Sequence, residues 1–402
     1  MKNTSLGVHT IGISTRFTGL VPHARQVAWS LYETLKKTEG IRVRPEYEPK
    51  RITLPDGTTR MSKPNQKVEH IGGYKGVRWL IRMDDTYPQF QYHALEATLN
   101  PKILSGEKDY IAAGREIHLE NIGKKYDCVA SETSDKLPLF KSCRLNRADF
   151  CVNFDTKEMG YHQYDCTTKQ LIMLIERADI PVHYEELLIY DTVSHRRKSP
   201  ENQLYLKSDS VHINCYWKSE EQKNKYKNHP DIDVLDIPED VIRFETQYHP
   251  RKIYPMRMAL IKKYPLARLS EEFIIKRLLS DENAKLIVVK EFNRFIKPGN
   301  YYTLQNAVNV IRRCGFRVNK EARLIGALKY INDCRGIGKA RHRINTAVAN
   351  FEPPVFLPHD FNRTLLDLAE IGINPVTIPR EWGIGFLPGL MNRYLEMTEG
   401  VK

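Results

Sequence analysis

Short segments in which apolar and polar residues alternate dominate the chain up to about residue 255. Such alternation predicts half-buried strands, because successive side chains on a strand point to opposite faces. Helical patterns at 23–39 and 167–178 interrupt the strands. This order predicts an α+β domain in which helices pack on one side of an antiparallel β-sheet. The candidate strands are 8–15, 77–83, 92–99, 147–154, 187–193, 202–208, 211–218 and 241–249.

After about residue 265 the apolar spacing becomes helical, in segments 271–296, 303–314 and 319–334. Gly315 follows the second segment, where a glycine commonly ends a helix. The two helices joined by "GFRV" could form a helix-turn-helix, although plain helical packing is commoner for such a pair. The rest of the chain is rich in proline and predicts a strap over the helices. We therefore predict an α+β domain at 1–262, a helical C-terminal domain at 263–350 and the strap at 351–402.

The chain is basic, with 62 Lys and Arg against 49 Asp and Glu, a net charge of +13 and a pI near 9.2. This excess favours a polyanionic partner, nucleic acid before a membrane surface; a basic protein without such a partner is the alternative. Seven cysteines, with no C-x-x-C pair, predict neither a disulfide framework nor a zinc site. No apolar run approaches the roughly 18 residues of a membrane span, and the first residues lack the apolar core of a secretory signal. We expect a cytoplasmic protein.

Four candidate strands carry a stripe of polar side chains opposite an apolar stripe. If these strands are neighbours and their polar stripes share a face, carboxylates, an imidazole, a phenol and an amine gather there. The alternative is a solvated sheet face with cross-strand ion pairs. The stripes contain Glu96 in "YHALEATL", Arg147 and Asp149 in "NRADFCVNF", Asn214, Tyr216 and Lys218 in "VHINCYWK", and Arg243, Glu245, Gln247 and His249 in "VIRFETQYH".

These groups suit metal-assisted phosphoryl transfer. Carboxylates bind Mg²⁺ or Mn²⁺, and Mn²⁺ also accepts an imidazole. A bound metal polarises a phosphate oxygen and neutralises developing charge. A tyrosine phenol, with a reference pKa of about 10, needs help to attack at neutral pH. Lys218 could lower the pKa of Tyr216 or hold the phosphate.

The order of these segments resembles the motifs of rolling-circle replication initiators. The Rep-trans-like plasmid initiators and relaxases are the most similar, together with the filamentous-phage initiators, all distant kin of the HUH endonucleases. The resemblance covers roughly residues 90 to 255. This chain departs from the pattern at Ala148 and Trp217, and it has no H-x-H pair. The matching segments are "ALEATLNPKIL", "LNRADFCVNFD", "LKSDSVHINCYWKSEEQKNK", which includes Glu221, and "VIRFETQYHPRKI".

The resemblance implies that the α+β domain is a nicking domain, which cuts one DNA strand at the origin of a plasmid, phage or integrative element. Tyr216 would attack the scissile phosphate and keep the 5′ end as a phosphotyrosine, with help from Lys218, and the free 3′-OH would prime synthesis. Mg²⁺ or Mn²⁺ would bind Asp149 and Glu245. Further metal-ligand candidates are Glu96 and His249, and the supporting residues would be Arg147, Arg243, Asn214 and Gln247.

The expected DNA substrate is a single strand or hairpin at the origin. The predicted exposed loop 194–202 carries Arg196, Arg197 and Lys198, which we expect to contact phosphates. A second exposed loop is predicted at 222–240. The helical half would recognise the origin, bind a helicase or form a homodimer. Two other functions stay open: a conjugative relaxase with the same chemistry, and a non-catalytic DNA-binding regulator that uses the helices of 303–334.

Overall fold

The computed structural model describes residues 3–17, 21–48, 51–53, 57–61, 64–83, 94–107, 112–181, 183–186, 189–191, 196–198, 203–227, 237–264 and 269–400. The strands are β1 (Ser5–Arg16), β2 (Ile41–Pro45), β3 (Arg51–Thr53), β4 (Thr59–Met61), β5 (Gln66–His70), β6 (Val77–Arg82), β7 (Ala94–Leu99), β8 (Arg144–Asp155), β9 (Glu185–Glu186), β10 (Ile189–Asp191), β11 (Arg196–Lys198), β12 (Gln203–Lys207), β13 (Val211–Trp217), β14 (Val241–Tyr248), β15 (Tyr301–Tyr302) and β16 (Phe386–Leu387).

The helices are α1 (Val21–Lys37), α2 (Pro101–Leu104), α3 (Ile122–Thr133), α4 (Thr168–Ile175), α5 (Lys218–Tyr226), α6 (Pro250–Lys263), α7 (Glu271–Leu278), α8 (Asp281–Phe295), α9 (Leu304–Arg313), α10 (Val318–Asp333), α11 (Ile337–Ala349), α12 (Pro358–Glu370) and α13 (Leu390–Glu399). Ten strands form one sheet in the order β2-β5-β6-β7-β1-β8-β14-β13-β12-β9. Its pairs β2–β5, β5–β6, β6–β7, β7–β1, β13–β12 and β12–β9 are antiparallel. The predicted α+β class, with a helical C-terminal region, is confirmed.

The chain divides into two compact units. The N-terminal unit contains residues 6–150 and 247–284, and the C-terminal unit contains residues 1–5, 151–246 and 285–402. Strands β8 and β14 each contribute residues to both units. The predicted domain boundaries at 262 and 350 stay a prediction.

In the N-terminal unit the register separates an apolar face from a polar face. One apolar row crosses five strands, through Val43, Val68, Trp79, Ala97 and Ile13. Helix α1 contacts β2 and β6 and buries Ala24, Ala28, Leu31 and Leu35, which share one side of the helix because they are three or four residues apart. The adjacent row on the other face is Arg44, Lys67, Leu80, Glu96 and Ser14.

In the C-terminal unit a buried carboxylate joins three helices. Asp179, just after α4, is 2% exposed. Its two oxygens accept hydrogen bonds from Nε and Nη2 of Arg341 on α11, both at 2.7 Å. Lys297, after α8, approaches the same carboxylate at 2.8 Å. Burial raises the pKa of Asp179, but the two cations together lower it by more than burial raises it. The net shift of the pKa is therefore downward. Helices α9, α10 and α12 form a separate apolar cluster around Ile311, Leu324 and Leu368.

Segment 271–296 was predicted as one helix, but the structure has two, α7 and α8. The break lies at Leu279 and Ser280. The side chain of Ser280 accepts a hydrogen bond from the backbone N–H of Asn283 at 3.3 Å, which caps the start of α8. Serine is among the preferred N-cap residues, so a local signal for this break was present in the sequence.

Four further details of local structure were not foreseen. Helix α5 replaces the start of the predicted loop 222–240, and β13 ends at Trp217 rather than continuing through Lys218. Residues Arg196–Lys198 form β11, which pairs with β10 in a two-stranded sheet, instead of an irregular loop. The proline-rich segment 351–402 contains α12 and α13. Pro358 occupies the first turn of α12, where a missing N–H costs little.

Among the residues described, no helix is both long enough and apolar enough to cross a bilayer.

Strands β1 and β8 approach each other closely at Gly12. A Cβ at this position would lie 2.6 Å from the Cβ of Arg147 and 2.7 Å from the Asn146 side-chain oxygen. We expect Gly12→Ala to lower the free energy of unfolding by about 1–3 kcal/mol, because backbone must shift to relieve the overlap. Urea denaturation measures the change.

The matched control for this test is Gly72→Ala, since a Cβ at Gly72 meets nothing within 4 Å. It should change stability by less than about 0.5 kcal/mol. Equal stability of the two variants would contradict the close approach at Gly12.

Candidate active site

A tyrosine and a buried lysine meet where β13 passes into α5. Tyr216 is the penultimate residue of the strand, and Lys218 is the first residue of the helix. Lys218 is only 3% exposed, and its Nζ donates to Oε2 of Glu221 at 2.6 Å, one helical turn further on. The same Nζ lies 5.6 Å from the centre of the Tyr216 ring. Gln222 also donates to Glu221 Oε2, at 2.7 Å.

Strand β14 contributes Arg243 and Glu245 to the same cluster of charges. Both are buried, at 0% and 5% exposure. The Nε of Arg243 donates to Oδ1 of Asn153 at 2.8 Å, and Asn153 donates in turn to the Ser5 hydroxyl at 3.1 Å. Arg243 and Glu245 are therefore buried rather than solvated, whereas Gln247 and His249 of the same stripe are half-buried. Buried charges persist only when they are paired and hydrogen-bonded.

The cluster shifts the pKa values of its members in opposite directions. Burial raises the pKa of Tyr216 well above 10; Glu245 raises it further, while Arg243 opposes the rise. Burial lowers the pKa of Lys218 to about 8, helped by Arg243 and opposed by Glu221. The expectation that Lys218 lowers the pKa of Tyr216 is therefore not met. Instead, the phenol stays protonated near neutral pH, and a pKa of about 8 leaves a minor fraction of Lys218, on the order of a tenth at pH 7, as a neutral amine able to accept a proton.

The pKa of Arg243 shows the net effect of its surroundings. Burial alone would lower it, but Cys151, Tyr216, Glu245 and Glu221 raise it, and the net direction is upward. The guanidinium therefore stays charged. Such perturbed groups concentrated in one place are typical of functional sites, although structural ion-pair networks also produce them.

The predicted carboxylates of the N-terminal unit are held by arginines. Asp149, 1% exposed, accepts from Nε and Nη2 of Arg147 at 2.7 and 2.6 Å and from the Thr10 hydroxyl. Glu96 accepts from Nε and Nη2 of Arg82, both at 2.9 Å. Arg147 therefore holds the Asp149 carboxylate, and its supporting role in a reaction stays a prediction.

These carboxylates do not fit a preformed metal site. Both oxygens of Asp149 and both oxygens of Glu96 already accept hydrogen bonds from guanidinium groups. In the described ranges of the chain, no group of three or more His, Cys, Asp or Glu side chains is placed to hold a metal ion. The electrostatic neighbours of Glu245 include Tyr216, Lys218 and Arg243.

The remaining candidates have other surroundings. Asn214, on the face of β13 that carries Tyr216, accepts from Gln203 at 2.9 Å. Gln247 lies half-buried on β14, and His249 is the residue from which α6 begins. For Arg196, Arg197 and Lys198 the structure describes the backbone, and the predicted phosphate contacts of their side chains fall outside the described part of the chain.

Sequence reasoning placed Glu221 in a motif without pairing it with Lys218, and it missed Thr10, Arg82 and Asn153 as partners. The partner of Lys218 had a local signal, because Glu221 is three residues away and the two meet on one helical face. Thr10, Arg82 and Asn153 had none, since each meets its partner from a different strand.

The unusual pKa of Lys218 makes a testable prediction about stability. The folded protein releases this proton near pH 8, whereas the unfolded chain holds it to about 10.5, so rising pH favours the folded state in between. Relative to Lys218→Met, we expect the wild-type free energy of unfolding to rise by on the order of 1–2 kcal/mol between about pH 7.5 and about pH 9.5. Urea denaturation across this range measures it. A constant difference between the two proteins would contradict the shift.

No family model and no curated protein sequence matches the chain. A solved structure of a rolling circle replication initiator protein from Geobacillus stearothermophilus is similar at a TM-score of 0.26 and 10% sequence identity. The match covers 65% of this chain and 80% of that chain. We therefore base a functional proposal on the geometry of the site and on the order of motifs.

Proposed function

We propose that this protein is a site-specific DNA endonuclease and strand transferase that initiates rolling-circle replication of a plasmid, phage or integrative element. The observation that carries the proposal is the cluster of Tyr216, Lys218, Arg243 and Glu245, in which a phenol shares a buried site with an amine of lowered pKa. The order of motifs along the chain and the net charge of +13 support it.

The proposed reaction needs a base, because the Tyr216 phenol is protonated. The neutral amine of Lys218 accepts the phenol proton as the phenolate oxygen attacks the scissile phosphorus. The bond from phosphorus to the 3′ oxygen breaks, and that oxygen leaves with the bonding electrons and takes a proton from solvent. The product carries its 5′ phosphate on Tyr216 and a free 3′-OH. Arg243 stabilises the phenolate, since its charge opposes the rise in the pKa of Tyr216.

Tyr216→Phe tests the nucleophile. We expect it to abolish the covalent protein–DNA adduct while DNA binding persists, because only the hydroxyl is lost. Labelled single-stranded DNA from the locus flanking the gene, incubated with protein and analysed on a denaturing gel, reports the adduct.

The matched control is Tyr205→Phe. Tyr205 lies on the adjacent strand β12 and has its hydroxyl 3.2 Å from the His212 ring. This variant should form the adduct as the wild type does. An adduct that survives in Tyr216→Phe would move the nucleophile elsewhere.

We also propose, from the resemblance of motifs, that Mg²⁺ or Mn²⁺ assists the reaction, and the motifs name Asp149 and Glu245 as separate ligand candidates. Because Arg147 already holds Asp149, a metal would have to displace it. We expect nicking to stop in EDTA and to return with Mn²⁺, and calorimetric titration of Mn²⁺ should lose its signal in Asp149→Ala and Glu245→Ala. Undiminished nicking in EDTA would remove the metal from the proposal.

A non-catalytic DNA-binding regulator is the competing function. Helices α9 and α10 are consecutive, pack together and are joined by a short turn with Gly315 at φ 64°, as a helix-turn-helix would be. This function predicts binding to the origin without an adduct, and no loss of function in Tyr216→Phe. A conjugative relaxase would share the adduct chemistry.

A further inference from the structure

The polar face of the N-terminal unit forms a basic surface whose cations the nicking chemistry does not use. We define the outer polar face as the side chains that β2, β5, β6 and β7 direct away from α1. The register places five cations and two carboxylates on it: Arg42, Arg44, Lys67, Arg78, Arg82, Glu69 and Glu96. All the cations belong to β2, β5 and β6, outside the strands that carry the motifs.

The cations of the outer polar face remain open to solvent. The side chains of Arg44 and Arg78 are each 53% exposed, and that of Arg82 is 37% exposed. Arg42 is also exposed. The two carboxylates do not neutralise all five cations: Glu96 pairs with Arg82 alone, and Glu69 serves both Arg44, at 3.0 Å, and Arg78, at 3.5 Å. A net positive, accessible sheet face is complementary to a chain of phosphates.

An aromatic ring adjoins this surface. The guanidinium of Arg78 lies 4.7 Å from the centre of the Tyr74 ring, and Tyr74, between β5 and β6, is 37% exposed. Exposed rings and guanidinium planes beside a basic surface are platforms on which unpaired bases stack. Duplex DNA, whose bases are already stacked on each other, offers no such contact.

We infer that the outer polar face binds single-stranded nucleic acid through its phosphates and one or more stacked bases. The inference does not depend on Tyr216, because binding to this surface requires no cleavage. Because contacts to phosphates and to the faces of bases carry little sequence information, this surface would hold the strand in general rather than read the origin.

Neutralising one cation on each strand tests the inference. The variant Arg42→Gln/Lys67→Gln/Arg78→Gln removes three charges from the outer polar face. We expect the Kd for a labelled mixed-sequence single-stranded oligonucleotide to rise about tenfold, and the slope of log Kd against log salt to fall by about two. Fluorescence anisotropy measures both, and the oligonucleotide lacks an origin, so failure of nicking cannot produce the result.

The matched control is Lys36→Gln/Lys37→Gln/Lys124→Gln, which removes three exposed charges from α1 and α3 instead. It should change the Kd less than about twofold, and circular dichroism should show that both variants fold. Equal weakening in the two triple variants, or none in the first, would overturn the inference. Adding Tyr74→Ala to the first triple variant should weaken binding further. If duplex DNA competes for the protein as well as single strands do, the assignment to single strands is overturned.

Discussion

The structure depends most on how the C-terminal unit accommodates a fully buried guanidinium. Arg243 is 0% exposed, so its charge has to be met by acceptors and anions from within the fold. Asn153 on β8 accepts from its Nε, and the charges of Glu245 and Glu221 raise its pKa. Meeting these requirements places β8, β13, β14 and α5 around one point, and that point is where Tyr216 and Lys218 lie.

This arrangement explains why the two ionisable groups of the proposed reaction have the properties they do. Burial penalises a phenolate and an ammonium alike, so it raises the pKa of Tyr216 and lowers that of Lys218. The two shifts leave a protonated phenol beside an amine that is more often neutral, but they also widen the gap between the two pKa values, so proton transfer requires stabilisation of the phenolate by Arg243. Desolvation is therefore the larger cause of both shifts, and individual charges are the smaller one.

The two faces of the sheet in the N-terminal unit divide its tasks. The apolar row through Trp79 and Ile13 holds α1 and supplies the core, whereas the polar face keeps its arginines in water. Asp179 has a comparable structural role in the C-terminal unit, since its carboxylate pairs with Lys297 after α8 and with Arg341 on α11. Neither arrangement requires the residues of the proposed reaction.

The sequence by itself determined the strands that carry the motifs, their apolar and polar stripes and the order of the motifs, because periodicity is a property of neighbours along the chain. It did not determine that the stripe with Arg243 is buried, that Lys218 begins a helix, or that Arg147 and Arg82 occupy the carboxylates of Asp149 and Glu96. Only the tertiary structure decided these points. Burial, ion pairing and pKa depend on distances between residues that are far apart in sequence, and no local pattern encodes those distances.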